Sequence, residues 1–403
     1  MRLVAALVTA VLLVSATPVA AQPPAPPRTA GAQPEAQRET PLTAQQIKDA
    51  IDQLGRIDYG IRMSAARRIR RAPADTAVPA LIDAVQNHPD SYSRFRSLIL
   101  LAGFNDSRTH DVMARALSEK NDRLRAVGYA YFEHNADPQI VPRMLDALGT
   151  EQSEFVRPAL TRALAAYATD TRVREALAGL VMKGQDFFRS AVIEAIGDYK
   201  GAYALPSLTQ VAKLEGPLQD DAVLALGKIG DKKSLEVLAA LQRTAHRNVQ
   251  PAIAASICLL GVNCTSHLRF LDQSLRFGME NSGYEDLLRA SANGLAAIAV
   301  AGNPDVASAL IERGVPSRDP GRAAIALALG AVALRNTPLM LTALEKQRDP
   351  APAIVLLGEA FDMLEEDFEE ERFYVAVRRA YWAGPQESAA RKIAAALIQS
   401  LDF

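Results

Sequence analysis

The five histidines are the residues best suited to metal or proton chemistry, so their spacing decides whether the sequence predicts a metal site. They are His88, His110, His134, His246 and His267. No two of them have the spacing that places two ligands on one helical face, and none stands in a His-Glu-x-x-His pattern. We therefore predict no metal ligand, no cofactor and no catalytic residue, and we expect that the protein is not an enzyme.

The two cysteines, Cys258 and Cys264, leave two alternatives open. An even number of cysteines in a short loop favours a local disulfide if the compartment is oxidising. The alternative is a pair of buried thiols, because Cys258 lies in the apolar stretch of residues 257–260. A disulfide would fix the point at which the regular sequence pattern described next comes to an end.

An arginine or glutamine recurs along the first half of the chain at steps of 32, 31, 32, 32, 30 and 31 residues. These marker residues are Arg62, Arg94, Arg125, Arg157, Arg189, Gln219 and Gln250. A fixed period of this length is typical of a repeat architecture, in which each repeat is one small structural unit. The markers are either a row of cations facing an acidic partner or part of a ladder inside the stack of repeats.

The elements that carry the markers are predicted to be helices. Apolar residues recur at helical spacing, as in Val78, Leu81, Ile82 and Val85, and no convincing run has the alternation of a strand. Prolines fall seventeen residues after alternate markers, where we expect the first turn of a helix; they are Pro79, Pro142 and Pro206. Each repeat is therefore predicted to contain a first helix, a short turn and a second helix with the marker. Such pairs bury their apolar faces only by stacking.

The stretch AVLALGKIGD at residues 222–231 resembles the second helix of short HEAT repeats, as in bilin-lyase-like HEAT proteins, and the proline phrases resemble their first helices. The resemblance covers roughly residues 56–262 and suggests an exported bacterial HEAT-repeat protein. It implies an all-α fold, a HEAT-like α-α superhelix that is a right-handed solenoid of antiparallel helix pairs. A tetratricopeptide array is the alternative, but its Trp, Leu-Gly and Tyr signature is absent.

The resemblance also bears on the two kinds of candidate site. In HEAT-like folds an acid in the turn pairs with an arginine of the second helix between adjacent repeats, which implies a structural ladder through Arg62, Arg94, Arg125, Arg157 and Arg189. The deoxyhypusine hydroxylases, an enzyme class of similar fold, hold iron through His-Glu dipeptides. None of the five histidines here is followed by glutamate.

The chain divides into four predicted segments. Residues 1–21 read as a secretory signal peptide, with one arginine, an apolar run and small residues before the expected cleavage site. An uncleaved membrane anchor is the alternative. Residues 22–42 hold six prolines and read as a disordered linker. Residues 43–263 hold the regular repeats, and residues 264–403 are predicted to be divergent helical repeats with a C-terminal capping helix, or else a separate helical domain.

Two charge clusters suggest where a partner binds. Arg67, Arg68, Arg70 and Arg71 crowd one predicted helix, and seven acidic residues lie within residues 362–371. Both clusters are commonly solvated faces, but the basic one could receive an acidic partner, including the acidic end of another copy. Aromatic residues also gather in the second helices and serve either the core or a peptide groove; they are Tyr92, Phe95, Tyr129, Tyr131, Phe132, Phe155, Phe187 and Phe188.

These observations favour a non-enzymatic scaffold that binds a protein or peptide along its concave face. With a net charge of −1 and a pI near 6.6, we expect no nucleic-acid partner, and we expect no transmembrane segment in the mature chain. The protein is predicted to be exported and soluble, in the periplasm or outside the cell. An enzyme or small-ligand site in the irregular C-terminal half is the alternative, and a mostly structural role in an envelope assembly is a third.

Overall fold

The computed structural model describes residues 42–403, which form one compact unit. The predicted signal peptide and all but the last residue of the predicted proline-rich linker lie outside this range. Among the described residues there is no strand, and no helix is both long and apolar enough to cross a bilayer.

Residues 42–403 contain 22 α-helices. The helices of the first part are α1 (Ala44–Gln53), α2 (Tyr59–Arg71), α3 (Ala74–Asn87), α4 (Ser91–Ala102), α5 (Arg108–Ala116), α6 (Asp122–His134), α7 (Val141–Thr150), α8 (Val156–Ala166), α9 (Thr171–Leu180), α10 (Asp186–Asp198), α11 (Leu205–Ala212), α12 (Gln219–Ile229), α13 (Ser234–Thr244) and α14 (Gln250–Leu259). Those of the second part are α15 (Cys264–Glu280), α16 (Glu285–Val300), α17 (Pro304–Gly314), α18 (Gly321–Arg335), α19 (Thr337–Glu345), α20 (Ala351–Leu364), α21 (Asp367–Ala383) and α22 (Ala389–Ser400).

The helices stack as a solenoid. Most odd-numbered helices pack against the even-numbered helix that follows, and from α4 to α20 each even-numbered helix also packs against the next even-numbered one. The even-numbered helices therefore form one continuous layer that runs through Cys264 without a break. The prediction of an all-α solenoid of helix pairs is confirmed.

Side-chain caps start many of these helices. Asp90 accepts a hydrogen bond from the backbone N–H of Ser93 at α4, and Asp170 accepts one from Arg172 at α9. Each satisfies a donor that the first helical turn leaves free. Pro142 and Pro206 lie in the first turns of α7 and α11, as predicted. Pro79 is different: it lies inside α3, because that helix begins five residues earlier, at Ala74.

Close packing between successive even-numbered helices depends on Gly227 in α12. A Cβ atom there would lie 2.4 Å from the Cα and 2.6 Å from the Cβ of Ser256 in α14. Ser256 is fully buried and donates a 2.8 Å hydrogen bond to the carbonyl oxygen of Val223, which fixes the two helices at this distance. The contact is with backbone, so a larger residue would force the helices apart.

We expect Gly227→Ala to lower the free energy of unfolding by about 1–3 kcal/mol, because overpacking displaces backbone in a close-packed interface. Gly179→Ala is the matched control, since no atom lies within 4 Å of its added Cβ. That change should raise stability by about 0.5–1 kcal/mol through lower backbone entropy in the unfolded chain. Urea denaturation of both variants measures the difference, and an equal effect of the two would contradict the assigned packing.

Candidate functional site

The C-terminal part of the solenoid returns to the N-terminal repeats. Helix α21 packs against α4 and α6. Its residue Phe368 is buried in the apolar core of the N-terminal repeats, whereas its other buried apolar residues belong to a second core, whose residues begin at Ala254. The even-numbered helices of the N-terminal half thus face the acidic start of α21 across the concave side of the molecule.

A buried ion pair between Arg70 and Glu371 joins the two ends. The Nε of Arg70 donates to Oε2 of Glu371 at 2.8 Å, and its Nη2 lies 2.7 Å from the same oxygen. Each side chain is only 2% exposed, and the Arg70 guanidinium also lies 5.0 Å from the centre of the Tyr374 ring. A buried charge needs a partner because losing its hydration is costly. This pair therefore holds α2 and α21 together.

Three further contacts cross the same interface. Asp367 pairs with Arg96, Asp402 pairs with Arg67, and Glu369 accepts a 2.9 Å hydrogen bond from His134. The basic and acidic clusters therefore meet within one chain, an arrangement that was not among the alternatives of solvated faces or an acidic partner. The curvature of the stack, which no local pattern reveals, brings them together. Of the four arginines predicted to bind a partner, Arg67 and Arg70 are engaged in this way. Arg68 is half-buried, Arg71 is exposed, and neither pairs with a described acid.

One group in this interface has the composition of a metal site. Glu133, His134 and Glu369 offer ligand atoms that lie within 4.8 Å of one another. However, Arg162 donates to Glu133 at 3.0 Å, and Arg372 pairs with Glu369. A divalent cation would have to displace both guanidiniums and would be repelled by them. We therefore assign the group to ion pairing between helices.

The pKa of Glu369 reflects the same network. Burial alone would raise it, but the hydrogen bond from His134 and the charges of His134 and Arg372 outweigh burial and lower the pKa to about 2. Glu369 is therefore ionised at any ordinary pH. It stabilises the closed arrangement above the usual pKa of a glutamate, and this stabilisation is lost as the pH falls towards 2.

Between the two parts of the chain lies a cavity of about 1000 Å³. Its floor includes small side chains of α6 and α8, such as Ala126, Ala130 and Ala159. One wall carries aromatic rings and arginines from α2, α4 and α6, and the opposite wall carries carboxylates from α20 and α21. Both parts of the chain line this cavity, which is large enough for a small ligand or a few residues of a peptide.

The first wall continues as a stripe in which rings and guanidiniums alternate, which we call the aromatic-arginine stripe. Arg62 lies 5.6 Å and 5.8 Å from the ring centres of Tyr59 and Tyr92. Arg123 lies 5.6 Å from both Phe95 and Phe155. At the next step, Arg157 lies 4.6 Å from the ring of Phe188. Each contact joins successive repeats or lies within one, so the solenoid repeat itself sets the spacing of the stripe.

The aromatic residues noted in the sequence divide between core and surface. Phe95, Tyr129, Phe132 and Phe188 are buried. Phe155 and Phe187 are 65% and 59% exposed, and Tyr59, which the sequence analysis did not include, is 60% exposed. The sequence could have suggested Tyr59, because it precedes the marker Arg62 in the same helical turn.

The marker residues bind the last turn of the preceding helix or the loop that follows it. Arg62 donates to the carbonyl oxygens of Arg56 and Ile57, and Arg157 donates to that of Glu151. The same kind of bond to a backbone carbonyl is made by the other markers, namely Arg94, Arg125, Arg189, Gln219 and Gln250. This shared role explains why glutamine can replace arginine in the last two repeats.

Pairing between repeats accompanies two of the markers. Arg94 pairs with Glu119 at 2.9 Å, and Arg125 binds Glu151 through two bonds of 2.8 Å and 3.0 Å. Arg189 instead pairs within its own helix, with Asp186. In the C-terminal half Arg322 binds Glu359 bidentately and also donates to a preceding loop carbonyl. Arg322 could have been identified from its position in the first turn of an even-numbered helix, which the markers share.

We expect Arg125→Met to lower the free energy of unfolding by about 1.5–3 kcal/mol, since it removes charge-assisted bonds to Glu151 and to the loop. Arg289→Met is the control, because Arg289 forms only an exposed pair with Asp286 within one helix. Its loss should change stability by less than about 0.5 kcal/mol. Thermal unfolding of the two variants tests the assignment, which an Arg289 effect as large as that of Arg125 would contradict.

The sulfur atoms of Cys258 and Cys264 are joined in a disulfide. The bond links the end of α14 to the first residue of α15 and spans the loop at residues 260–263. It therefore lies where the marker pattern ends.

No family model and no curated protein matches the chain. Among solved structures the chain is similar to YibA of E. coli, with 18% identity and a TM-score of 0.40 over 54% of this chain and 82% of that one. It is also similar to Kap121p bound to Nup53p, with 12% identity and a TM-score of 0.43 over 89% of this chain and 45% of Kap121p. Human deoxyhypusine hydroxylase gives 15% identity and a TM-score of 0.24 over 54% of this chain and 96% of that one. The chain thus spans less than half of Kap121p, and at these identities the similarity concerns the helical-repeat fold alone.

Proposed function

We propose that the protein is a non-enzymatic scaffold of the cell envelope that binds a protein or peptide on its concave face. The aromatic-arginine stripe is the observation that supports this proposal. Aromatic residues and arginines are the residues that most often dominate binding energy at protein interfaces. Here they recur at the spacing of the repeat, so they can contact an extended partner at several successive points.

Arg123 and Phe155 are the centre of the proposed surface. Phe155 is largely exposed, and Arg123 is exposed and held between two rings. An arginine stacked in this way has lost much of its side-chain freedom before binding, so less entropy is lost when a partner forms hydrogen bonds to it. It also keeps its donors in the plane of the guanidinium, available to a carboxylate or a backbone carbonyl.

Selection of peptides from a random display library on the full-length protein tests the proposal. We expect enriched peptides whose binding weakens about tenfold or more in Phe155→Ala and Arg123→Gln. Phe270→Ala, which removes another partly exposed phenylalanine from α15, is the matched control and should bind normally. If no peptide is enriched, or if all three variants bind alike, the stripe is not a binding surface.

Export is a separate part of the proposal, and it depends on the sequence of residues 1–21. Fractionation of cells that produce the full chain, followed by mass measurement of the purified protein, tests it. We expect the protein outside the cytoplasm with Gln22 as its first residue. A cytoplasmic protein that retains Met1 would contradict the proposal of export.

The cavity favours a second candidate function, the binding of a small ligand. A volume of about 1000 Å³ with aromatic and charged walls is typical of a ligand pocket. The pocket lies between the two parts of the chain, whereas the sequence analysis placed such a site in the C-terminal half alone.

A further inference from the structure

The acidic wall of the cavity has more negative charge than its neighbours neutralise. The residues that line the cavity include nine carboxylates and six arginines. Asp367, Glu366 and Glu133 each pair with an arginine of the lining. Four other carboxylates of the lining form no ion pair with any residue of 42–403, namely Glu194, Asp362, Glu365 and Glu370.

A second observation also indicates that this wall receives a ligand. Tyr374 lines the cavity and is only 6% exposed, yet its hydroxyl group forms no hydrogen bond within the described chain. Polar groups buried to this degree usually have a partner. The cation that lies over the Tyr374 ring, Arg70, is already paired with Glu371. The hydroxyl oxygen is therefore free to accept a hydrogen bond from a ligand.

The positions of the four unpaired carboxylates favour an organic cation over a metal ion as the ligand. Within the described residues only Glu133, His134 and Glu369 bring three ligand atoms close enough for one ion. The unpaired carboxylates come from α10, α20 and α21 and the turn between the last two, so they are spread along the cavity. A cation that matches this spread must carry charge at more than one point.

We propose that the cavity binds an extended organic cation with at least two ammonium or guanidinium groups, between the carboxylates of Asp362, Glu365 and Glu370, the ring of Tyr59 and the hydroxyl group of Tyr374. The carboxylates and the Tyr374 hydroxyl oxygen would accept hydrogen bonds from the cation, and the exposed Tyr59 ring would offer its electron-rich face. The cation could be a basic segment of a protein partner or a free polyamine. If the cation is a segment of a protein partner, the inference rests on the proposed function and adds that this segment is basic.

Isothermal titration of the full-length protein with two cationic probes tests the proposal. The probes are spermidine and a hexa-arginine peptide, with a hexaglutamate peptide as the anionic control. We expect saturable binding of at least one cationic probe at a single site and none of the control. Glu370→Gln and Asp362→Asn should each weaken binding about ten- to one-hundredfold, the effect of losing a hydrogen bond to a charged group. Glu236→Gln, an exposed change on α13, should leave binding unchanged.

The release of a proton from Glu370 on binding gives the titration a readout that is specific to this residue. Six groups face this carboxyl: Asp367 and Tyr374 on α21, Glu366 in the turn before it, Asp362 on α20, Arg96 on α4 and Tyr59 on α2. Its burial and the neighbouring carboxylates raise its pKa to about 8, so a bound cation should expel a proton at pH 7. Titration in buffers of different ionisation heat measures this release, which Glu370→Gln should abolish.

The outcomes separate the two proposals. If spermidine binds but hexa-arginine does not, the cation site stands and a basic partner segment is excluded. If neither probe binds, or if Glu236→Gln weakens binding as much as Glu370→Gln, the cation site is wrong. Peptides selected through Phe155 and Arg123 would in that case still support the scaffold function.

Discussion

Replacing Glu371 by glutamine is expected to lower the free energy of unfolding by about 3–5 kcal/mol. The change leaves the Arg70 guanidinium buried with no full counter-charge, and removing one partner of a buried ion pair typically costs this much. A second arginine, Arg378, whose Nη2 lies 3.4 Å from Oε1 of the same carboxylate, would lose its counter-charge as well. Urea denaturation at pH 7 measures the loss.

Two controls distinguish the buried charge from a general loss of contacts. In the double variant Arg70→Met with Glu371→Leu both charges are removed, so most of the lost stability should return. Asp402→Asn breaks the pair with Arg67, which is partly exposed, and should cost less than about 1 kcal/mol. Equal losses in Glu371→Gln and Asp402→Asn would show that burial does not determine the strength of these pairs.

The same variant tests whether the pair keeps the solenoid closed. In a helical repeat protein each repeat mainly contacts its neighbours, so the ends of the stack are free to move apart. Here α21 and the residues after α22 add contacts between residues 300 or more positions apart, namely Arg70–Glu371 and Arg67–Asp402. If these contacts limit opening, small-angle X-ray scattering should show a larger radius of gyration for Glu371→Gln than for the double variant.

Much of the solenoid could be predicted because each repeat has its own short sequence pattern, which recurs along the chain. The period of the markers located the second helices from α2 to α14, and the proline phrases located α7 and α11. After Gln250 the marker is absent, and apolar spacing alone predicts helices at residues 286–300, 322–334, 353–364, 373–382 and 387–401. They match parts of α16, α18, α20, α21 and α22. Helices α15, α17 and α19 were not predicted, because the register that would have placed a first helix in each pair had ended.

The candidate site was less predictable because it depends on curvature. The sequence shows that residues 67–71 are basic and that residues 362–371 are acidic, but not that one chain brings them together. The basic and acidic residues come together because small rotations between repeats accumulate over the whole stack. Glu370 illustrates the consequence: in the sequence it is one acid among seven, whereas in the structure it is an unpaired carboxyl in a cavity wall.

Glu370→Gln is expected to stabilise the protein by about 2–4 kcal/mol at pH 8 and to have little effect at pH 5. Burial, followed by the charges of Asp367, Asp362 and Glu366, raises the pKa of Glu370 from its usual 4.5 to about 8. Between these values the folded chain holds a proton that the unfolded chain has released. Stability therefore falls as the pH rises through this window, by at most about 1.4 kcal/mol per unit.

Urea denaturation of the wild type and Glu370→Gln at pH 5 and pH 8 measures this difference, with Glu236→Gln as the exposed control. A stability difference that is the same at both pH values would contradict the raised pKa. The comparison goes no lower than pH 5 because below it the unfolded chain takes up a proton at Glu369 that the folded chain does not, so the stabilisation from Glu369 begins to fall. A carboxylate that lowers the stability of the unliganded chain and gains a counter-ion on binding is the trade-off expected of a binding site. A bound cation should therefore stabilise the wild type most strongly at pH 8 and the glutamine variant hardly at all.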